Sequence, residues 1–264
     1  MKFIDDLGLE LHIKSYPPKR IISVVPSLTE LLYDLDLADE IVGITKFCVF
    51  PEVIFRSKTR IGGTKKLNIE KIKALQPDLI IANKEENQKE DIEYLSSIFP
   101  TYVTDIRIMD DAIGKIQTIG DLTDRKRQAQ RLVKDINTGF EALDTFRTKP
   151  KVAYMIWKDP IMVAGGDTYI SNMLEKAGFE NVFADQKRYP SITPTMLKAA
   201  DAEFIFLSSE PFPFKSKDIS YFESLTSDAT ATLVDGTMFS WYGSRLKQVP
   251  SYLLNLRQEL KLKI

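Results

Sequence analysis

Arg20-Ile21-Ile22-Ser23-Val24-Val25-Pro26-Ser27-Leu28-Thr29-Glu30 reads as a buried strand that turns directly into a helix. The apolar run from Ile21 to Val25 is short and unbroken apart from Ser23, and Pro26 with Ser27 ends it. Ser27 is the expected helix N-cap, with Glu30 at the spacing of a capping box. Leu28, Leu31, Leu32 and Leu35 then fall on one helical face.

The same cadence continues outward. Ile41-Val42-Gly43-Ile44 is the next strand, Asn68 caps a helix bearing Ile69, Ile72 and Leu75, and Pro77-Asp78 stops it before the strand Leu79-Ile80-Ile81-Ala82. Strand, helix and strand in this order argue for parallel βαβ units. The second half repeats the pattern. Val152–Trp157 is a strand, Thr168 starts a helix with Ile170, Met173 and Leu174, and Val182-Phe183 is a short strand. Thr193-Pro194 opens another helix, proline standing at its first position, and Phe204–Leu207 follows as a strand.

Between the halves, Ile113, Ile116 and Ile119 keep helical spacing up to Gly120, and a second stripe runs through Ala129, Leu132, Val133, Ile136, Phe140 and Leu143. This is a stiff helical connector by composition. The expected organisation is an N-terminal α/β lobe over 1–108, a helical connector over 109–148 and a C-terminal α/β lobe over 149–264. Two such lobes joined by a helix leave a cleft at their strand ends, where ligands sit in α/β folds.

Composition removes several chemistries. The 264 residues carry 36 Lys+Arg against 37 Asp+Glu, so no broad positive field is available to a nucleic-acid binder. With one histidine, His12, and one cysteine, Cys48, a zinc site of His and Cys ligands and an intrachain disulfide are both excluded. A Ser-His-Asp triad would depend on His12, in a short polar-edged segment. No catalytic residue and no metal ligand set is assigned. No segment reaches the about 18 apolar residues that cross a bilayer, and acidic Asp5 and Asp6 interrupt the start before a signal-peptide core could develop.

The remaining unusual stretches are loops. Gly62-Gly63-Thr64 and Gly165-Gly166-Asp167-Thr168 match neither a Walker A nor a dinucleotide pattern; they read as tight turns into a helix, or as backbone approaching a ligand. Ser208-Ser209-Glu210-Pro211-Phe212-Pro213-Phe214 follows a strand directly, and its prolines are expected to present Phe212 and Phe214 at fixed angles. Ser240-Trp241-Tyr242-Gly243-Ser244-Arg245 sets Trp, Tyr and Arg close together without clean periodicity. Such aromatics either pack beneath their loop or wall a large flat ligand, with Arg245 on an anionic or amide rim. Cys48, in Lys46-Phe47-Cys48-Val49-Phe50-Pro51, reads as a small apolar filler or wall residue, and Lys84–Asp91 as a solvated helix start.

Arg20–Glu30 resembles the opening strand and helix of substrate-binding proteins for cobalamin, haem and ferric siderophores, as does Arg60-Ile61-Gly62-Gly63 continuing through Asn68 to Leu79-Ile80. Gly166-Asp167-Thr168, Ser208–Phe214 and Ser240–Arg245 are most similar to the cobalamin-binding branch. The resemblance implies two Rossmann-like lobes joined by a long rigid backbone helix, the class III periplasmic-binding-protein fold, and no enzymatic activity. It implies capture of a corrinoid such as cobalamin, or of haem or a ferric siderophore, for an ABC-transporter permease. The ligand wall would comprise Phe47, Cys48, Trp157, Tyr189, Phe212, Phe214, Trp241, Tyr242 and Arg245, with Glu90 and Glu210 as permease-docking acids.

No covalent cofactor is expected, and the protein is expected to be a monomer. The absence of a signal peptide and of a lipobox cysteine reads as cytoplasmic, and hence as a corrinoid carrier or sensor. The family's behaviour implies the periplasm or cell surface with a trimmed start. A metal-cluster enzyme on the same architecture is the remaining alternative, and a protein-interaction module would leave the aromatic loops packed.

Overall fold

The strand read from Ile21 is the centre of a parallel sheet in the computed structural model, which describes residues 1–143, 146 and 148–262. The chain divides into two compact units: Met1–Ile106 with Asp110–Asp135 and Tyr242–Arg245, and Arg107–Met109 with Ile136–Trp241 and Leu246–Ile264. Asp144, Thr145 and Arg147 of the expected connector, and Lys263 and Ile264 of the expected C-terminal lobe, lie outside the described residues.

The first unit opens with an antiparallel hairpin, β1 (Lys2–Ile4) and β2 (Glu10–His12), whose exposed His12 pairs with Glu10. There follow β3 (Ile21–Ser23), α1 (Pro26–Asp34), β4 (Ile41–Ile44), α2 (Glu52–Ser57), β5 (Thr59–Arg60), and a second hairpin of β6 (Gly62–Gly63) and β7 (Lys66–Leu67). Then come α3 (Ile69–Leu75), β8 (Leu79–Asn83), α4 (Lys89–Ser96) and β9 (Thr101–Thr104). The expected connector contains α5 (Met109–Leu122) and α6 (Lys126–Glu141), and the chain passes between the units within α6. The main sheet is parallel in the order β5-β4-β3-β8-β9. The order reverses at β3, the switch point at which open α/β sheets leave a crevice beyond their carboxyl ends.

Asn68 caps α3 as expected, its side chain accepting from the Lys71 N–H. Arg20 closes the other end of α3 through the Leu75 carbonyl, and Asp78 accepts from the Lys19 and Arg20 amides. The capping box expected at Ser27 and Glu30 is not formed. Proline pre-sets the helical φ, so α1 starts at Pro26 with Val25 as N-cap, and the Glu30 side chain is buried against Arg245.

The second unit contains β10 (Lys151–Trp157), β11 (Met162–Val163), α7 (Tyr169–Lys176), β12 (Glu180–Asn181), α8 (Pro194–Ala199), β13 (Phe204–Ser208), α9 (Ser216–Ser224), β14 (Thr230–Val234), α10 (Thr237–Ser240) and α11 (Val249–Glu259). β10, β13 and β14 run parallel in that order, with β12 parallel and β11 antiparallel against β10. Met155, Leu197, Ile205, Leu207 and Phe222 fill the core.

Thr168 and Thr193 cap α7 and α8 as the sequence indicates. The strand expected at Val182-Phe183 lies two residues earlier. Asn181 accepts from the Phe183 N–H at 3.0 Å, which turns the chain out of the ladder and sends Phe183 into the core. Arg257, fully buried in α11, donates to the carbonyls of Ala177 and Gly178 at the end of α7 and lies 4.1 Å from the Phe146 ring centroid.

Candidate functional site

Each parallel sheet carries aromatic residues on the loops at its carboxyl edge. In the first unit that edge is built on the loop after β4. Lys46 N–H donates to the Gly62 carbonyl at 2.8 Å and ties this loop to the β6–β7 hairpin. Gly62 sits at φ +105°, where a Cβ would lie 2.5 Å from the Lys66 carbonyl oxygen, so glycine is required there. A Cβ on Gly63 would lie 3.0 Å from the Phe47 ring, so the ring rests directly on the hairpin backbone. Phe47 remains 50% exposed, and Lys46 Nζ stands 5.0 Å from its centroid. A cavity of about 770 Å³ opens here, lined by Lys46, Phe47, Gly63, Thr64, Lys66 and Asn68 among others.

Beneath this loop Cys48 is completely buried. Its sulfur lies 3.1 Å from both the Thr29 and Thr45 hydroxyls. Burial pushes the thiol pKa up, against the two hydroxyl contacts. Cys48 is thus an anchor rather than the wall residue the resemblance implies, because its side chain faces the core.

Asn83 and Asn87 perform a role that the sequence did not reveal. Asn87 donates to the carbonyls of Val24 and Thr64 and accepts from the Asn83 N–H, while Asn83 accepts from the amides of Glu85 and Glu86. The loop after β8, read as a solvated helix start, is therefore pinned to β3 and to the hairpin. Only Asn87, inside a run of charged side chains, could have hinted at this.

Arg245 also differs from expectation. It is 7% exposed and forms a two-point ion pair with Glu30, Nε to Oε2 at 2.9 Å and Nη2 to Oε1 at 2.8 Å. Its guanidinium lies 5.0 Å from the Phe50 centroid. Burial raises the Glu30 pKa, against the hydrogen bond and charge of Arg245. The guanidinium is thus committed to Glu30 and supports Phe50 from within the unit. Tyr242, in the same segment, is buried as well, with 6% of its surface exposed.

The second unit presents a packed aromatic series at the end of β10. Trp157 is 39% exposed, and its indole N–H donates to the Asp159 carbonyl. Its ring meets Phe212 edge-to-face at 5.5 Å, Phe212 meets Phe214 at 4.7 Å, and Phe214 meets Phe222 at 5.5 Å. Phe214 belongs to the hydrophobic core, so its expected place in a ligand wall is corrected: it supports Phe212 from below. Asp218 fastens the surrounding loops, accepting from Lys158 Nζ at 2.6 Å and from the Lys215 amide at 2.9 Å, and the Lys158 hydrogen bond lowers its pKa.

Glu210 accepts from the Trp241 indole N–H at 2.8 Å and from the Ser240 hydroxyl at 2.6 Å, both through Oε1, and so fixes the partly exposed Trp241 ring. Tyr189 is half-buried with Arg188 5.6 Å from its ring centroid, and Glu90 is exposed in the first turn of α4. A second cavity, about 810 Å³, opens around the start of α7 and is lined by Arg107, Asp167, Thr168, Glu175, Glu180 and Arg188 among others. It contains none of the expected wall residues, and its mixed charge suits a flat apolar ligand poorly. The aromatic edges are the better candidates for such a ligand. Among the described residues no group of three or more His, Cys, Asp or Glu is placed to hold a metal ion, and no helix is long and apolar enough to cross a membrane.

The sequence is 28% identical over 214 residues to the vitamin B12-binding protein of Vibrio vulnificus, covering 78% of each chain. The fold superimposes on the periplasmic vitamin B12 binding protein of Vibrio cholerae with a TM-score of 0.77 at 21% identity, covering 92% of this chain and 99% of that one. It superimposes on the periplasmic haem-binding protein of Roseiflexus sp. RS-1 with a TM-score of 0.78 at 20% identity, covering 90% and 96%. These likenesses place the fold among class III periplasmic binding proteins, two α/β units of related topology. Residues 21–228 match the Periplasmic binding protein family, and the chain belongs to that family.

Proposed function

We propose that the protein is a non-enzymatic binding protein that captures a corrinoid, cobalamin or a similarly large metal chelate, for uptake by an ABC transporter. The observation that carries this reading is the pair of aromatic edges, Phe47 with Phe50 in the first unit and Trp157, Phe212 and Trp241 in the second. A flat, largely apolar macrocycle is recognised by stacking and by area buried, and rings already fixed by their surroundings lose little entropy when they bind. Tyr189 extends the second surface. The curated relative from Vibrio vulnificus binds vitamin B12 by name, which favours the corrinoid.

In this reading the protein works in the periplasm and hands its ligand to a permease. Glu90, by its exposure, is the docking acid of the first unit, and Glu210 takes that role in the second only by the resemblance, since its Oε1 already holds Trp241 and Ser240. Calorimetric titration of the purified protein with cyanocobalamin tests the function, with haem and a ferric hydroxamate as comparators. Saturable one-to-one binding of cyanocobalamin is the expected result. Binding of a comparator alone would change the ligand, and no binding of any of the three would overturn the proposal. Trp241→Ala is expected to weaken cyanocobalamin binding by more than about 1 kcal/mol.

A further inference from the structure

We infer that Lys46, Lys65 and Lys66 form a cationic rim that receives carboxylate or phosphate groups on the periphery of the ligand, so that the preferred chelate is one with acidic substituents. This rests on the chelate-binding reading and adds a charge requirement to it.

All three lysines line the cavity beside Phe47, and all three are exposed. The chain as a whole is nearly neutral, with 36 Lys+Arg and 37 Asp+Glu, and many of its lysines are paired: Lys84 with Asp105, Lys115 with Asp6, Lys158 with Asp218. Among the described residues the three rim lysines form no ion pair with a carboxylate. Lys65 Nζ donates to the Glu85 carbonyl at 2.5 Å, which leaves its charge uncompensated and two further donors available. Glu70, the acid that lines the same cavity, is turned to Lys73 at 3.1 Å.

The hairpin gives this rim a fixed geometry. Gly63 pairs with Lys66 across the β6–β7 ladder, Thr64 and Lys65 make the turn, and the Thr64 carbonyl accepts from Asn87. Lys46 is joined to the same hairpin through the Gly62 carbonyl. The bare backbone at Gly63 lets the Phe47 ring pack directly against the hairpin. A macrocycle seated in the cavity beside Phe47 would meet the Lys46 ammonium, which stands over the ring, and would bring edge substituents toward Lys65 and Lys66 on the same lining, its apolar body lowering the local dielectric in which they act. A ligand edged with neutral amides would gain hydrogen bonds there, whereas carboxylates or phosphates would gain charge-assisted ones, which are shorter and about twice as strong.

The test compares charge on a constant frame. Wild type and the triple variant Lys46→Gln/Lys65→Gln/Lys66→Gln are titrated with cyanocobalamin, with its amide-hydrolysed carboxylate derivatives, and with two soluble porphyrins, one tetracarboxylated and one bearing four cationic pyridinium groups. At exposed sites each pair contributes modestly, so the wild type is expected to favour the carboxylated ligand by about tenfold, a preference that added salt reduces and the triple variant abolishes. Equal affinity for anionic and cationic frames, or a preference that survives in the triple variant, overturns the rim. The porphyrin pair reads the rim even where cyanocobalamin fails to bind, so loss of the corrinoid reading and loss of the charge requirement are separate results. The substituted lysines are exposed, and an unchanged melting temperature shows that the variant is folded.

Discussion

In the first unit the Phe47 ring lies over a glycine backbone with half its surface exposed and lysines around it. In the second, Trp157 is the outermost member of a series that runs through Phe212 and Phe214 to Phe222 in the core. Both surfaces cap the carboxyl edge of a parallel sheet, but their support differs. The first is held by polar and ionic groups: Asn87 under the hairpin, the Cys48 thiol between two hydroxyls, and the Glu30–Arg245 pair beside Phe50. The second is an outgrowth of its own hydrophobic core, with Asp218 and Glu210 closing the loops around it. A ring that extends a core gains orientation and stability from the same packing, whereas a ring on a polar scaffold can be altered with little effect on folding.

The largest expected effect lies in the polar scaffold. Arg245→Ala leaves Glu30 buried without its cation and is expected to lower the unfolding free energy at pH 7 by about 3–5 kcal/mol, measured by urea denaturation. Burial already raises the Glu30 pKa, and losing Arg245 removes the groups that oppose this. A carboxyl whose folded pKa is raised favours the folded state in its protonated form. Its contribution is present below the unfolded pKa and is lost as pH rises through the folded one. The deficit of the variant should therefore shrink as the pH is lowered, and a deficit independent of pH would break the assignment.

Phe214→Ala should cost about 3–5 kcal/mol, because the ring is buried in the second core. Asp218→Asn has the opposite pH signature to the Arg245 variant. The Asp218 pKa is lowered, so its stabilisation is present above the usual carboxylate range and is lost as pH falls through the folded pKa. At pH 7 the variant should lose about 1.5–3 kcal/mol, the range for a hydrogen bond to a charged group. Wild type and variant should converge in thermal melts as the pH falls below the usual carboxylate range, and parallel melting curves throughout that fall would contradict the role given to Lys158. Phe47→Ala marks the small end, with a stability change within about 0.5 kcal/mol. A loss as large as that of Phe214→Ala would erase the distinction between the two surfaces.

Much of the fold was legible because periodicity and caps are local. Ile21, Leu79, Val152 and Phe204 all begin or lie in strands where the apolar runs placed them, and Asn68, Thr168 and Thr193 cap the helices they precede. Shorter elements such as the β6–β7 hairpin and β9 were not expected, since two to four residues carry too little pattern. The candidate site was legible as residue types and much less as exposure. Cys48, Phe214, Tyr242 and Arg245 stand in the stretches that drew attention, yet whether each faces solvent or core depends on partners distant in sequence. Glu30, 215 positions before Arg245, decides the role of that arginine, and no local spacing announces it.

The protein has two tryptophans, Trp157 packed against Phe212 and Trp241 held by Glu210, and in the proposed reading both belong to the second aromatic surface. Tryptophan fluorescence during titration with cyanocobalamin, corrected for absorption by the chelate, therefore reads that surface directly. Saturable quenching of the wild type, with Trp157→Phe and Trp241→Phe each removing part of the response, is the predicted result. Calorimetric binding with the emission of both indoles unchanged would place the ligand elsewhere and contradict the account.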